Sequence, residues 1–156
     1  MKTTRATVLL LMLMSLAHAR AKDIPGLMPV DVYLSCEKAG FETMKSLGGA
    51  TKSWDCTRAG IGVIQTVSAR SGSSLSVTTV EATAIFVGGI PSVMAQEATE
   101  LLSWVSTLPY TDARPEKARQ WVQDNIAKGG QISINGVIFK IEVTPKSRTL
   151  RLFVND

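Results

Sequence analysis

Residues 131–143 read QISINGVIFKIEV. Apolar and polar residues alternate on both sides of Asn135-Gly136, the dipeptide most typical of a two-residue type I′ hairpin turn. Pairing Ile134 with Val137 places Ile132 opposite Phe139, so the alternate apolar side chains share one face. The pattern predicts an antiparallel hairpin with one buried face.

A third strand is predicted to follow this hairpin. Residues 149–154 alternate again, and they are joined to the hairpin by a loop around Pro145 to Arg148. In the register we expect, Glu142 lies opposite Arg151 on the outer face, where cross-strand charge pairs stabilise weakly. The segment 131–154 is therefore interpreted as a three-stranded meander.

Two helices are predicted before the meander. Pro91 is suited to the first turn of a helix, and apolar residues then recur every three or four positions to about Thr107. Pro115 begins a second amphipathic stretch, which ends before Gly129. The two helices follow each other directly in the chain.

The first part of the chain predicts one helix and one hairpin. Asp31 is placed to cap a helix that ends near Gly40. The segments 41–47 and 52–57 flank Gly48-Gly49, which favours a hairpin. The N-terminal helix is thus followed directly by antiparallel strands.

A second hairpin is predicted for residues 60–70 and 75–87, which are rich in Val, Ile and Thr and flank a Ser-Gly turn. Near Thr78-Thr79 the apolar residues of the second segment switch from odd to even positions, so they cannot all lie on one face of a regular strand. This switch predicts a bulge or a break there. Together the elements predict one α+β domain, residues 22–156, with an antiparallel sheet and helices packed on it.

Residues 1–21 have the pattern of a secretory signal peptide. Lys2 and Arg5 precede a short apolar run, and Ala19 and Ala21 offer two cleavage sites. The run is shorter than a membrane-spanning helix, and no later stretch supplies a span. We expect an exported chain, periplasmic or extracellular, with no transmembrane segment after cleavage.

The leader changes the charge of the chain. The whole sequence carries 17 basic and 13 acidic residues, a net charge of +4, which falls to +2 or +1 when the leader is removed. A nucleic-acid partner is therefore disfavoured, because such binding needs a clustered excess of base. His18 is the single histidine and leaves with the leader, which excludes Ser-His and Cys-His catalysis and His-ligated metal in the remaining chain.

Cys36 and Cys56 are the two cysteines. In an exported chain, such a pair predicts one structural disulfide, here between the end of the first helix and a following strand. The alternative, a redox-active pair, is disfavoured because the spacing is not C-x-x-C. No cofactor-binding motif or metal-ligand pattern accompanies them, so no cofactor is expected.

The predicted binding surface is the outer face of the C-terminal meander. There the basic residues Lys140 and Arg151 stand beside the apolar Ile138 and Phe153. Apolar side chains rimmed by base are typical of a contact with a protein or another envelope macromolecule. The alternative interpretation is an ordinary solvated sheet face.

A small carboxylate-based hydrolase is the alternative function. Glu97 and Glu100 lie three residues apart on a predicted helix, and Asp55 or Glu81 could contribute to another pair. However, Glu97 and Glu100 fall opposite the apolar stripe, where a solvated face is expected. The sequence therefore favours a non-catalytic binding protein over an enzyme.

Overall fold

A computed structural model of the chain describes residues 21–46, 52–71 and 75–155. The predicted leader and the turns expected at 48–49 and 71–74 lie wholly or mainly outside these residues. Three helices and seven strands are formed by the described residues: α1 Pro29–Lys38, β1 Glu42–Ser46, β2 Lys52–Ala59, β3 Val63–Ser71, β4 Thr79–Phe86, α2 Pro91–Val105, α3 Pro115–Asn125, β5 Gly130–Ile134, β6 Val137–Thr144 and β7 Ser147–Phe153.

The strands form one antiparallel sheet in the order β1-β2-β3-β4-β7-β6-β5. The two N-terminal hairpins make one continuous half of the sheet, and the C-terminal meander makes the other. The halves meet where β4 pairs with β7. This architecture confirms the predicted α+β fold with an N-terminal helix and two consecutive later helices.

The hairpin at Asn135-Gly136 has the predicted register. Ile134 pairs with Val137, and Ile132 pairs with Phe139. Asn135 and Gly136 have φ angles of 50° and 85°, the left-handed pair that a type I′ turn requires. The local sequence therefore specifies this turn completely.

The predicted pairing of Glu142 with Arg151 is wrong by two residues. Thr144 pairs with Ser147, so the connection between β6 and β7 is a tight two-residue turn rather than the longer loop expected. Arg151 consequently lies opposite Lys140, and Glu142 lies opposite Thr149. Because the shift is even, each residue keeps its predicted face of the sheet.

The first helix begins two residues earlier than its predicted cap. Pro29 is the first residue of α1, and Asp31 lies inside the first turn. The Asp31 carboxylate reaches back and accepts a hydrogen bond from the Met28 backbone N–H, at 2.9 Å. Asp31 thus accepts a hydrogen bond from a free backbone N–H at the start of the helix, but it does so from the third helical position instead of from the predicted cap position.

The change of parity before β4 has a structural cause. β4 begins only at Thr79, and Val77 before it is fully buried. The Val77 carbonyl accepts from the Ile24 N–H at 2.7 Å, and the Val77 N–H donates to the Leu27 carbonyl at 3.2 Å. The predicted break is confirmed, because this stretch pairs with the N-terminal lead-in instead of continuing the strand.

All described helices pack on the same face of the sheet. A disulfide between Cys36 and Cys56 joins α1 to β2, as predicted. The core between the layers is filled from α2 by Ala98, Leu101 and Leu102, and from the strands by Val67, Val80, Phe139, Leu150 and Leu152. The opposite face of the sheet is covered by no described helix, and we call it the open face.

Candidate functional site

The four residues of the predicted binding surface are brought together on the open face. Ile138 pairs with Phe153, and Lys140 pairs with Arg151; these are neighbouring pairs on this face of the β6–β7 ladder. Lys140, Arg151 and Phe153 are partly exposed, whereas Ile138 is only 7% exposed. Ile138 therefore stands beside Phe153 on this face but is largely covered, and the other three side chains are available for contact.

Each basic residue on this surface forms an ion pair with an acidic residue. The Arg151 Nε lies 2.6 Å from Glu81 Oε2, and the Lys140 Nζ lies 2.8 Å from Glu142 Oε1. Arg151 also approaches Glu142 Oε1 at 3.5 Å through its Nη1. Two positive and two negative side chains thus contact one another, and the surface carries balanced charges instead of an excess of positive charge.

The ion pairs shift the protonation of their members. The hydrogen bond from Lys140, together with the charge of Arg151, lowers the pKa of Glu142 below its ordinary value. The hydrogen bond to Glu81 raises the pKa of the Arg151 guanidinium. Both pKa shifts favour the charged form of the group concerned.

The sequence predicts Glu142 on this surface but not Glu81. Glu81 is the direct cross-strand partner of Arg151 on β4, although 70 residues separate them in the chain. This contact depends on the pairing of β4 with β7, which no local pattern reveals. The place of Glu81 on the surface follows only from the strand order.

Hydroxyl groups continue the open face toward β2. The Oγ1 atoms of Thr83 and Thr149 lie 3.1 Å apart, and the Ser68 hydroxyl donates to the Asp55 carboxylate at 2.5 Å. Asp55, Ser68 and Glu81 occupy one row across three neighbouring strands. The face therefore offers ordered donors and acceptors beside the charged cluster.

The carboxylates of the alternative hydrolase do not converge. Glu97 is half-buried and accepts a hydrogen bond from the Gln65 side chain at 2.5 Å, whereas Glu100 is exposed and accepts from Gln96. The expectation that Glu97 lies on a solvated face is wrong, because the start of α2 passes over the polar side chain of Gln65. Asp55 and Glu81 lie on the other face of the sheet.

In comparisons with protein-family models, curated proteins and solved structures, the chain has no significant match. Within the described ranges, His, Cys, Asp and Glu side chains form no group of three that could hold a metal ion. No helix in those ranges is long and apolar enough to cross a bilayer. A function for this chain must therefore be argued from its own residues.

Proposed function

We propose that this chain is an exported, non-catalytic binding protein, periplasmic or extracellular, and that its partner is another envelope or extracellular macromolecule, most specifically a protein segment. The partner contacts the open face at Lys140, Arg151 and Phe153. The observation that carries the proposal is that helices cover one face of the sheet, while the other face presents oriented charges beside an aromatic ring.

The charge pattern favours a protein over a nucleic acid. Phosphate backbones are bound by bases that are free to replace counterions. Here Lys140 and Arg151 are matched by Glu142 and Glu81, so the local charges cancel. A protein segment with both signs of charge fits such a surface, because complementary charges set specificity and register.

Phe153 supplies the apolar anchor of the proposed contact. Aromatic residues near the centre of an interface contribute more than their share of binding energy. Phe153 is partly exposed, and its cross-strand partner Ile138 stands beside it on the same face with only 7% of its surface exposed. The pair therefore presents an apolar spot on the open face, of which the Phe153 ring is the accessible part.

The disulfide agrees with export. Cys36 and Cys56 form a bridge that persists in oxidising compartments and is rare in the cytosol. The signal-peptide pattern of residues 1–21 points to the same compartments.

Site-specific photo-crosslinking in the native envelope tests this proposal. A photoreactive amino acid replaces Lys140, and the matched control carries it at Gln120, which is exposed on α3. We expect one discrete adduct from position 140 and none from position 120. Adducts of equal yield at both positions, or none at position 140, would contradict the proposal.

A second variant separates the contact from folding. Phe153→Ser in the position-140 crosslinking protein is expected to reduce the adduct about tenfold or more, as for loss of an aromatic hot spot. Its melting curve shows whether the fold is kept. A folded Phe153→Ser protein with an undiminished adduct removes Phe153 from the site.

A further inference from the structure

Four connections meet at one end of the sheet, which we call the connection end. They are residues 60–62 between β2 and β3, 87–90 between β4 and α2, 126–129 between α3 and β5, and 145–146 between β6 and β7. Backbone hydrogen bonds link two of them directly, and a third connection to the last residue of β4. The Val87 N–H donates to the Gly62 carbonyl at 3.0 Å, and the Phe86 N–H donates to the Lys146 carbonyl at 2.8 Å.

Large apolar side chains are exposed at the connection end. Ile61, Val87 and Ile90 are 69%, 61% and 65% exposed. Behind them Ile64 and Ile85, also exposed, form a cross-strand pair on the open face. A cluster of exposed apolar side chains of this kind marks a surface that contacts a protein or a membrane.

Glycine allows the two connections that carry Ile61 and Val87 to approach each other closely. Gly62 has a φ of +74°, and a Cβ there would collide with the carbonyl oxygen of Gly88. The exposed residues Ile61 and Val87 therefore lie on adjoining connections, which are joined by the hydrogen bond from Val87 to Gly62.

The charged residues of the four connections are both basic. The connections contain Lys128 and Lys146, which are exposed, and no Asp or Glu. Immediately behind them, the Arg148 guanidinium lies 5.3 Å from the centre of the Phe86 ring.

One carboxylate from α2 also reaches the connection end. A Cβ on Gly60 would meet the carboxylate of Glu97, which accepts a hydrogen bond from the buried Gln65 side chain. This carboxylate is therefore half-buried and already hydrogen-bonded, whereas both lysines are exposed.

An apolar groove of about 380 Å³ extends this surface between α2, the end of α3 and the β6–β7 turn. Its lining is mainly apolar and includes Phe86, Pro91, Met94, Ile126 and Pro145, with Arg148 as its basic member. The apolar character of the connection end thus continues onto the helical side of the molecule.

We propose that the connection end binds the surface of an anionic lipid bilayer. Ile61, Val87 and Ile90 enter the interface between headgroups and acyl chains, and Lys128 and Lys146 lie at the level of the lipid phosphates. The exposed charges of these connections, Lys128 and Lys146, are both positive and complement the phosphates of anionic lipids beside the exposed apolar side chains. The orientation leaves the open face accessible, and the proposal stands independently of the partner proposed for that face.

Vesicle flotation tests the proposal. The exported, disulfide-bonded chain is mixed with vesicles of phosphatidylcholine, with or without 30% phosphatidylglycerol. We expect the protein to float with the phosphatidylglycerol vesicles at low salt and to be released by high salt, which screens the contribution of the lysines. Protein that stays at the bottom of the gradient with both compositions would overturn the proposal.

Variants locate the bound surface. Ile61→Ser, Val87→Ser and Ile90→Ser combined should lower the partition coefficient at least about tenfold, and Lys128→Gln and Lys146→Gln should each lower it about fivefold. The matched controls are Leu75→Ser, at a 76% exposed residue between β3 and β4 at the other end of the sheet, and Lys117→Gln, at the start of α3.

The controls should float like the unmodified chain, and all variants should keep its melting temperature. Equal loss in the controls, or no loss in the connection-end variants, overturns the assignment. A protein that fails to float but sediments as a dimer, and becomes monomeric in the Ile61, Val87 and Ile90 triple variant, would assign the cluster to a second copy of the chain instead.

Discussion

The side-chain amide of Gln65 connects otherwise separate parts of the fold. Its Nε2 donates to Glu97 on α2, and its Oε1 accepts from Arg58 on β2 at 2.7 Å. The Arg58 guanidinium in turn donates to the Ala39 carbonyl and lies 4.5 Å from the centre of the Phe41 ring. One fully buried polar side chain therefore links the sheet to two helical segments.

We predict that Gln65→Ala lowers the free energy of unfolding by about 2–3 kcal/mol, because it leaves two charged groups without their shared partner. Urea unfolding measures the change. Gln131→Ala, at an exposed position in β5, is the control and should cost less than about 0.5 kcal/mol. Equal losses of unfolding free energy in the two variants would show that the hydrogen bonds of Gln65 do not stabilise the fold.

In this network, only the burial of Gln65 has a local signal in the sequence. Strand alternation places Gln65 on the same face as Val63 and Val67, which are buried. Its partner Glu97 is 32 residues away, on helix α2. From the sequence, the solvated face of α2 follows only from the spacing of the apolar residues in that helix. A contact between a helix and a strand depends on how they are packed, and a local pattern does not contain that information.

At the scale of secondary-structure elements, the turns determine how well register can be predicted. Asn135-Gly136 fixes its hairpin because both residues readily adopt positive φ. Pro145-Lys146 has no such signature, and the observed register of the next strand differs by two residues from the one that the sequence predicts. The pairing of β4 with β7, which brings Glu81 to Arg151, is not encoded in any turn.

We predict that Gly136→Ala lowers the free energy of unfolding by about 1–2 kcal/mol. Gly136 has a φ of +85°, a backbone conformation that is unfavourable for residues with a Cβ. The added Cβ would have no atom within 4 Å other than those of Gly136 and its chain neighbours, so the cost comes from the backbone alone. The measurement is thermal or urea unfolding, with the neighbouring exposed Ser133→Ala as the control. Unchanged stability in Gly136→Ala would mean that the turn adjusts without cost.

At the scale of the whole molecule, covalent and non-covalent links are distributed unevenly. The disulfide fixes α1 to β2 on the N-terminal half of the sheet. The C-terminal half contains no cysteine and is joined to the first through the β4–β7 ladder. The single domain predicted from the sequence is therefore held together by β-pairing at its centre.

We predict that replacing Cys36 and Cys56 together by Ser lowers the free energy of unfolding by about 3 kcal/mol, because the unfolded chain is no longer closed into a loop. The sequence separation of 20 residues sets that magnitude in the chain-entropy model. Urea unfolding of the oxidised chain, with and without reductant, gives an independent value. A double variant as stable as the oxidised chain would contradict the prediction.

The central position of β7 has a consequence for biogenesis. Ser147–Phe153 follows the other described strands in the chain, yet it fills the gap between β4 and β6, and Val154 just after it bridges to Lys22. Until these residues have been synthesised, β4 and β6 each present an unpaired edge. The two halves of the sheet therefore cannot join while the chain before β7 is being made, and in that interval both edges are open to pairing with other chains.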